Sequence, residues 1–288
     1  MAFGASELIL NSDGSVYHLG LRPDDIADTI ITVGDPDRVA QVSQHFDHIS
    51  LKKQKREFLT HTGTLNQKRI TVISTGIGTD NIDIILNELD ALVNIDFDTR
   101  SPKANTTVLD ILRIGTSGAL QQDVAVDTFI GSTYAIGLDG LLHFYDCSDL
   151  EEAPLSQQLV DHMQWKTPGV YPYSFRGSNE LQSRFKHPDM GFGITVTNAG
   201  FYGPQGRSLR LTPSLGDFGT KLSAFQYLGA RITNLEMETA GIYGLCKLLG
   251  HNCFSLNAIL ANRVTHQFSA NPQKTVDTLI ALALEKLT

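Results

Sequence analysis

Apolar runs rich in β-branched residues recur along the chain, and each leads through a glycine-rich or polar turn into a segment with helical spacing. Thr29 to Val33 (TIITV) runs into GDPDRVAQVSQHF, Arg69 to Ser74 (RITVIS) into TGIGTDNIDIILNELDAL, and Val108 to Ile114 (VLDILRI) into GTSGAL. Strands are also expected over Thr128 to Ala135 and Gly193 to Val196. Near the end ITNLEM passes into the helical TAGIYGLCKLLG, and CFSLNAILA precedes a last helix at about 272–287. Strands alternating with helices predict an α/β fold, a single domain over 1–288 with a central mixed, twisted sheet flanked by helices and a peripheral segment at 1–15. Ligand chemistry is expected at the carboxyl ends of the strands. Residues 94–106 (NIDFDTRSPKANT) read as a polar surface loop. The segment 146–180 yields only some helical character in SQQLVDHMQ.

Charge and cysteine usage narrow the function classes. Lys plus Arg (23) against Asp plus Glu (31) leaves −8 with no basic run, which argues against a nucleic-acid partner. Cys147, Cys246 and Cys253 lack metal or disulfide spacing and fit a reducing compartment. The first residues, MAFGASELILNSDG, have neither a basic start nor a signal-length apolar stretch, and no run of about 18 apolar residues follows. A cytoplasmic protein with no membrane partner is the expectation.

Four stretches could carry chemistry. In GDPDRV (34–39), Asp35 is a suitable N-cap, Pro36 fits the first helical position and Gly34 permits a tight strand-to-helix turn. The free N–H groups of such a helix start suit an anion, and Arg38 in that first turn is unfavourable on dipole grounds unless an anion sits there. RIGTSGAL (113–120) ends a strand on Arg113 and continues into a Gly-Thr-Ser-Gly loop, a second expected cradle for oxyanions. GTSG is one residue short of a serine-hydrolase elbow, and Gly76-Ile77-Gly78 has Asn81 where a dinucleotide fingerprint needs glycine. FYGPQGR (201–207) sets an aromatic, an amide and a guanidinium in one loop, a combination able to read the edge of a planar heterocycle. Finally, NLEMETAG places Glu236 and Glu238 at i, i+2 at a strand end. Both carboxylates then point to one face, where they repel unless donors or positive charge lie between them. His45 and His48 read as solvated helix residues.

Together, VYHLGL, GDPDRV, KREF, STGIG, LRIGTSGALQ, LDGLLHF, FYxxQxR, NxEMETA and NR, in this order from about residue 16 to 265, resemble the nucleoside phosphorylase-I family, most of all its uridine phosphorylase branch. The resemblance implies a pentosyltransferase that converts uridine and inorganic phosphate into uracil and ribose 1-phosphate, with phosphate as co-substrate and no cofactor or metal. It implies a phosphate site of Gly34, Arg38, Arg56, Arg113 and Thr116, and a ribose site of His18, Glu236, Met237 and Glu238. A base site of Phe201, Gln205, Arg207, Arg263, Ser117 and Gly118 completes the set, with Arg38, Arg113, Arg207 and Gln205 carrying catalysis. Arg56 and His18 are implied to reach in from a neighbouring subunit. The minimum active unit would be a homodimer, and the fuller assembly a hexamer built as a trimer of dimers.

The sequence also departs from the family's pattern. Asn81 stands where one branch places a serine ligand for an intersubunit potassium ion, so that ion is not expected. The base loop reads YGPQGR rather than the commoner YPGQER. Purine-cleaving relatives tend to carry an aspartate where Asn262 stands, so its amide favours a pyrimidine. The alternatives are a purine nucleoside phosphorylase, a nucleosidase of the same fold, and a non-catalytic nucleoside-binding protein.

Overall fold

Strand β1 (Thr29–Val33) is buried at all five positions and lies in the middle of a mixed sheet, which explains why TIITV is rich in β-branched residues and does not alternate apolar with charged ones. The computed structural model describes residues 2–165, 167 and 169–288. After β1 come α1 (Pro36–Ser43), β2 (His48–Lys55), β3 (Phe58–Leu65), β4 (Lys68–Ser74) and α2 (Thr79–Asn94). A small hairpin of β5 (Ile95–Asp96) and β6 (Ser101–Pro102) leads to β7 (Asp110–Ala119) and β8 (Phe129–Gly137). Then follow α3 (Ala153–Met163), β9 (Tyr173–Arg176), α4 (Asn179–Arg184), β10 (Met190–Thr197), α5 (Phe218–Ala224) and β11 (Gln226–Tyr227). The chain ends with β12 (Ala230–Glu236), α6 (Thr239–Leu249), β13 (Asn252–Asn262), β14 (Gln267–Phe268) and α7 (Pro272–Leu287).

The main sheet runs β11-β12-β10-β8-β13-β7-β1-β4-β3-β2, with β4, β1, β7 and β13 parallel and β8 antiparallel to β13. β12 also pairs antiparallel with the far end of β7, Asn234 opposite Ala119 and Leu235 opposite Gly118. That pairing closes β7, β13, β8, β10 and β12 into a ring. The expected α/β architecture is therefore the one the chain adopts. Alternation along the central strands divides the core: Ile30 and Ile111 pack toward α2 and α6, while Ile31, Val33, Leu112 and Ile114 pack toward α1 and α7. Arg113 shares the parity of Ile111, so it points to the side where α6 begins.

Three regions differ from the sequence reading. The GTSGA stretch is not a loop: β7 continues through Ala119, and residues 115–119 are paired with β13. Glycine read as a turn signal, but here its missing side chain makes room for Arg113, as described below. The β2–β3 hairpin went unread because β2 alternates exposed polar residues with partly buried ones, Lys53 and Lys55 among them, rather than with strongly apolar ones. His48 opens β2, and His45 follows the end of α1, so neither is helical. Within 94–106 the expected surface loop contains the β5–β6 hairpin, whose Arg100 donates from Nε to the Phe3 carbonyl (2.9 Å) and from Nη2 to the Gly4 carbonyl (2.8 Å), pinning the N-terminal segment. The 146–180 segment supplies α3, over the stretch with helical character, as well as β9 and the start of α4; its residues 166 and 168 lie outside the described residues. Among the described residues, no helix is long and apolar enough to cross a membrane.

Candidate active site

The carboxyl ends of β1, β4, β7 and β12 open onto one cavity of about 730 Å³. At its floor lies Arg113, whose Nη2 is 3.0 Å from Glu236 Oε2 and 2.5 Å from Glu238 Oε2, while Nη1 donates to Asn257 Oδ1 at 3.0 Å. Of the donors or positive charge expected between the i, i+2 acids, the structure supplies Arg113. Burial alone would lower the Arg113 pKa, but the two carboxylates outweigh it and hold it above the ordinary guanidinium value.

Each carboxylate also rests on backbone donors at a helix start. Glu236 accepts the N–H groups of Glu238 (2.9 Å) and Thr239 (2.9 Å to Oε2), the first turn of α6, and a hydroxyl from Thr197 at 2.6 Å. Glu238 Oε1 accepts the Gly78 N–H at 2.8 Å, where α2 begins. Negative charge is favourable at both places because the first amides of a helix lack internal partners. Glu236 is therefore occupied largely by its own chain. Glu238 keeps free lone pairs beside the cavity, and burial raises its carboxyl pKa, an effect that Arg113 opposes and Glu236 reinforces.

Arg113 fits only because residue 115 has no side chain. A Cβ on Gly115 would lie 1.8 Å from Arg113 Nη1 and 2.4 Å from its Cζ. Gly115→Ala should displace the guanidinium, lowering stability by roughly 1–3 kcal/mol, the usual cost of overfilling a packed site. Denaturant unfolding of the variant measures this, and a wild-type midpoint would show that Arg113 has room to spare.

Arg38 stands in the first turn of α1, as GDPDRV predicted, with Asp35 accepting the Asp37 N–H at 2.9 Å as N-cap. It forms no ion pair among the described residues. Burial lowers its pKa, and the neighbouring Arg113 lowers it further. Two guanidiniums converging on a helix N-terminus is an arrangement that an anion would relieve. Gly34 and Thr116 line the same end of the cavity.

At the other end, Gln205 is buried, and its side-chain oxygen accepts from Arg207 Nη1, which also donates to the Phe201 carbonyl at 2.7 Å. The Arg207 guanidinium stacks on the Phe201 ring, 3.8 Å from its centroid. Arg263 donates to the Gln205 carbonyl, tying the loop to the end of β13. Burial and then Arg263 push the Arg207 pKa down to about 10. Ser117, Gly118 and Met237 line the wall between the two ends, with the Ser117 hydroxyl accepting from Asn234 at 2.9 Å.

The structure thus gathers Gly34, Arg38, Arg113, Thr116, Ser117, Gly118, Phe201, Gln205, Arg207, Glu236, Met237 and Glu238 around one cavity, with Arg263 just behind the loop. It leaves His18 and Arg56 outside. His18 Nδ1 lies 2.6 Å from Glu88 Oε1, and Arg56, in the β2–β3 turn, sits 5.7 Å from the Tyr17 ring centroid. Sequence reasoning missed Asn257, a polar residue within the apolar run CFSLNAILA, where burial of an amide was itself the available signal. It also missed Phe268, which reaches the cavity from β14 and had no local signal. The Asn262 amide does not line the cavity. Its side chain donates to the Gln121 and Val124 carbonyls and accepts from the Val264 and Thr265 amides, so its full capacity is spent on backbone.

A mixed α/β sheet with an arginine-rich anion end, a buried glutamate pair and an amide–guanidinium loop around one cleft defines a nucleoside-phosphorylase class of protein. The chain belongs to the phosphorylase superfamily, whose family profile matches residues 28–287. It is similar to the uridine phosphorylase of Thermococcus kodakarensis, 28% identical over 288 residues that cover 99% of this chain and 91% of the relative. The uridine phosphorylase of Escherichia coli is 28% identical over 266 residues, covering 89% of each chain. Among solved structures, a Trypanosoma brucei nucleoside phosphorylase described as showing uridine phosphorylase activity superposes with a TM-score of 0.86 at 27% identity, covering 97% of this chain and 99% of that one.

Proposed function

We infer that this protein is a uridine phosphorylase, a pentosyltransferase that cleaves uridine with inorganic phosphate to give uracil and ribose 1-phosphate. The observation that carries this reading is the polarity of the cavity. Arg38 and Arg113 converge at one end, Gln205 and Arg207 stand at the other, and Glu238 faces the space between them. Phosphate held by Arg38, the α1 amides and the Arg113 edge attacks the anomeric carbon as the glycosidic bond loosens through an oxocarbenium-like state. Glu238 accepts hydrogen bonds from the ribose hydroxyls. The leaving pyrimidine gathers negative charge over its ring and carbonyls, and Gln205 and Arg207 bind that charge more tightly than they bind the neutral base. Proximity of the phosphate dianion to the developing cation supplies the rest.

A pyrimidine is favoured over a purine because the Asn262 amide cannot protonate a ring nitrogen and is turned into the backbone. His18 and Arg56, outside their own cavity, are proposed to complete the site of a second copy, so the active unit is at least a homodimer, extendable to a hexamer as a trimer of dimers. The reaction places the protein in nucleoside salvage or catabolism in the cytoplasm. No cofactor or metal enters this chemistry.

Incubation with uridine, thymidine, inosine and adenosine, each with and without phosphate, tests the reading. Uracil and ribose 1-phosphate should appear only when phosphate is present, with little hypoxanthine or adenine. Base release without phosphate would make the protein a nucleosidase, and purine release would overturn the base assignment.

A further inference from the structure

Outside the cavity lies a carboxylate that the proposed chemistry leaves unused. Asp139, in the LDGLLHF stretch just past the end of β8, lies 2.7 and 2.8 Å through its two oxygens from the Tyr173 hydroxyl. Its Oδ2 also accepts the Leu141 N–H at 2.9 Å, which caps the short 3-10 turn Leu141–Phe144. No cation among the described residues is paired with it. Burial raises its pKa, and the donors from Leu141 and Tyr173 oppose that rise. Tyr173 is itself fully buried, and its ring lies over Gly137, where an added Cβ would come within 2.1 Å of it. A carboxylate held in this way is costly to bury unless its neighbours are fixed in return.

One of those neighbours, Leu141, packs where two helices start. Thr79 is the first residue of α2, and the residue before it, Gly78, donates the N–H that Glu238 accepts. Glu238 is in turn the N-cap of α6. A Cβ on Gly241, in the first turn of α6, would lie 2.9 Å from the Thr79 methyl and 3.4 Å from Leu141 Cδ2, so Thr79, Leu141 and α6 meet at one point without slack. Asp139 holds one of the three directly, through the Leu141 N–H.

We propose that Asp139, held by Tyr173, is a positioning residue for Glu238: it fixes the 141–144 turn, whose Leu141 packs with Thr79 against Gly241, so that the Gly78 N–H and the start of α6 hold the Glu238 carboxylate toward the cavity. The clamp acts on the ribose-facing carboxylate directly and on the anion end only through the Glu238–Arg113 ion pair, while Arg38 belongs to α1 and has no contact with it. The kinetic consequence rests on the nucleoside-phosphorylase reading; the mechanical one does not.

The test uses Asp139→Asn and Tyr173→Phe in the full chain, alongside Glu238→Gln and the Asp139→Asn/Glu238→Gln double variant. KM for uridine should rise roughly tenfold in each clamp variant, the scale of one lost hydrogen bond to a charged group, and by more than KM for phosphate, which Glu238 influences only through Arg113. In the double variant the effects should be far from additive, because both substitutions disable the same carboxylate. Hydrogen exchange over 76–80 and 237–241 should accelerate at least about tenfold, with residues 34–40 unchanged. Melting temperature is recorded for each variant, and Tyr173→Phe serves if Asp139→Asn does not fold. A lowered melting temperature with unchanged KM for uridine and unchanged exchange at 76–80 would make Asp139 a structural residue only and overturn the proposal. Wild-type protein that turns over no nucleoside would instead remove the functional reading, and the exchange result alone would then decide the clamp.

Discussion

Arg113→Met should abolish phosphorolysis and also cost about 3–5 kcal/mol of stability, a fall in melting temperature on the order of 10 °C. The size follows from what the substitution leaves behind. Glu236 and Glu238 are both nearly fully buried, both ion-paired to Arg113, and their other donors, the Thr197 hydroxyl and backbone amides, are neutral and cannot cancel two charges. Removing the guanidinium therefore creates two uncompensated carboxylates in one enclosed space, in addition to the lost phosphate contact. Carrying Glu236→Gln and Glu238→Gln on the Arg113→Met background should restore much of the melting temperature and none of the activity. Differential scanning calorimetry of the single and triple variants, together with the uridine assay, makes the comparison. A single variant that melts like wild type would mean the ion-paired cluster contributes little to the fold.

Arg207→Ala should produce the opposite split. Arg207 has no carboxylate partner among the described residues, and burial together with Arg263 already depresses its pKa to about 10, so the folded chain gains little from its charge. Stability should stay at or slightly above the wild-type level. The activity loss should be large, about 2–4 kcal/mol in kcat/KM for uridine or roughly 30- to 1,000-fold, because the residue is held ready by the Phe201 carbonyl, the Phe201 ring and Gln205 for charge that develops on the leaving base. The loss should appear mainly in kcat, since the neutral base in the ground state asks less of a guanidinium than the departing anion does. Steady-state kinetics with uridine suffices, and a wild-type kcat/KM would remove Arg207 from the mechanism.

The reach of sequence reasoning can be judged from particular residues. The α1 start was legible because its cause is local: Asp35, Pro36 and the amides they cap lie within four residues of one another, and the helix began where they required. The same holds for β1, α6 and α7, whose periodicities are carried by contiguous residues. The i, i+2 spacing of Glu236 and Glu238 likewise announced that donors or a positive partner had to lie between them. What it could not supply was the identity of that partner, because Arg113 lies 123 and 125 positions away and arrives only when β12 folds back onto the end of β7. The GTSG error has the same origin. Glycines 115 and 118 look like a turn to any local rule, and only the pairing of β7 with β13 shows them as strand and shows Gly115 as the space in which Arg113 lies. Local sequence thus determined the elements, the caps and the chemical vocabulary of the site. Tertiary structure decided which charges neutralise one another, since that depends on the distance and burial of groups remote in the chain, which no local pattern encodes.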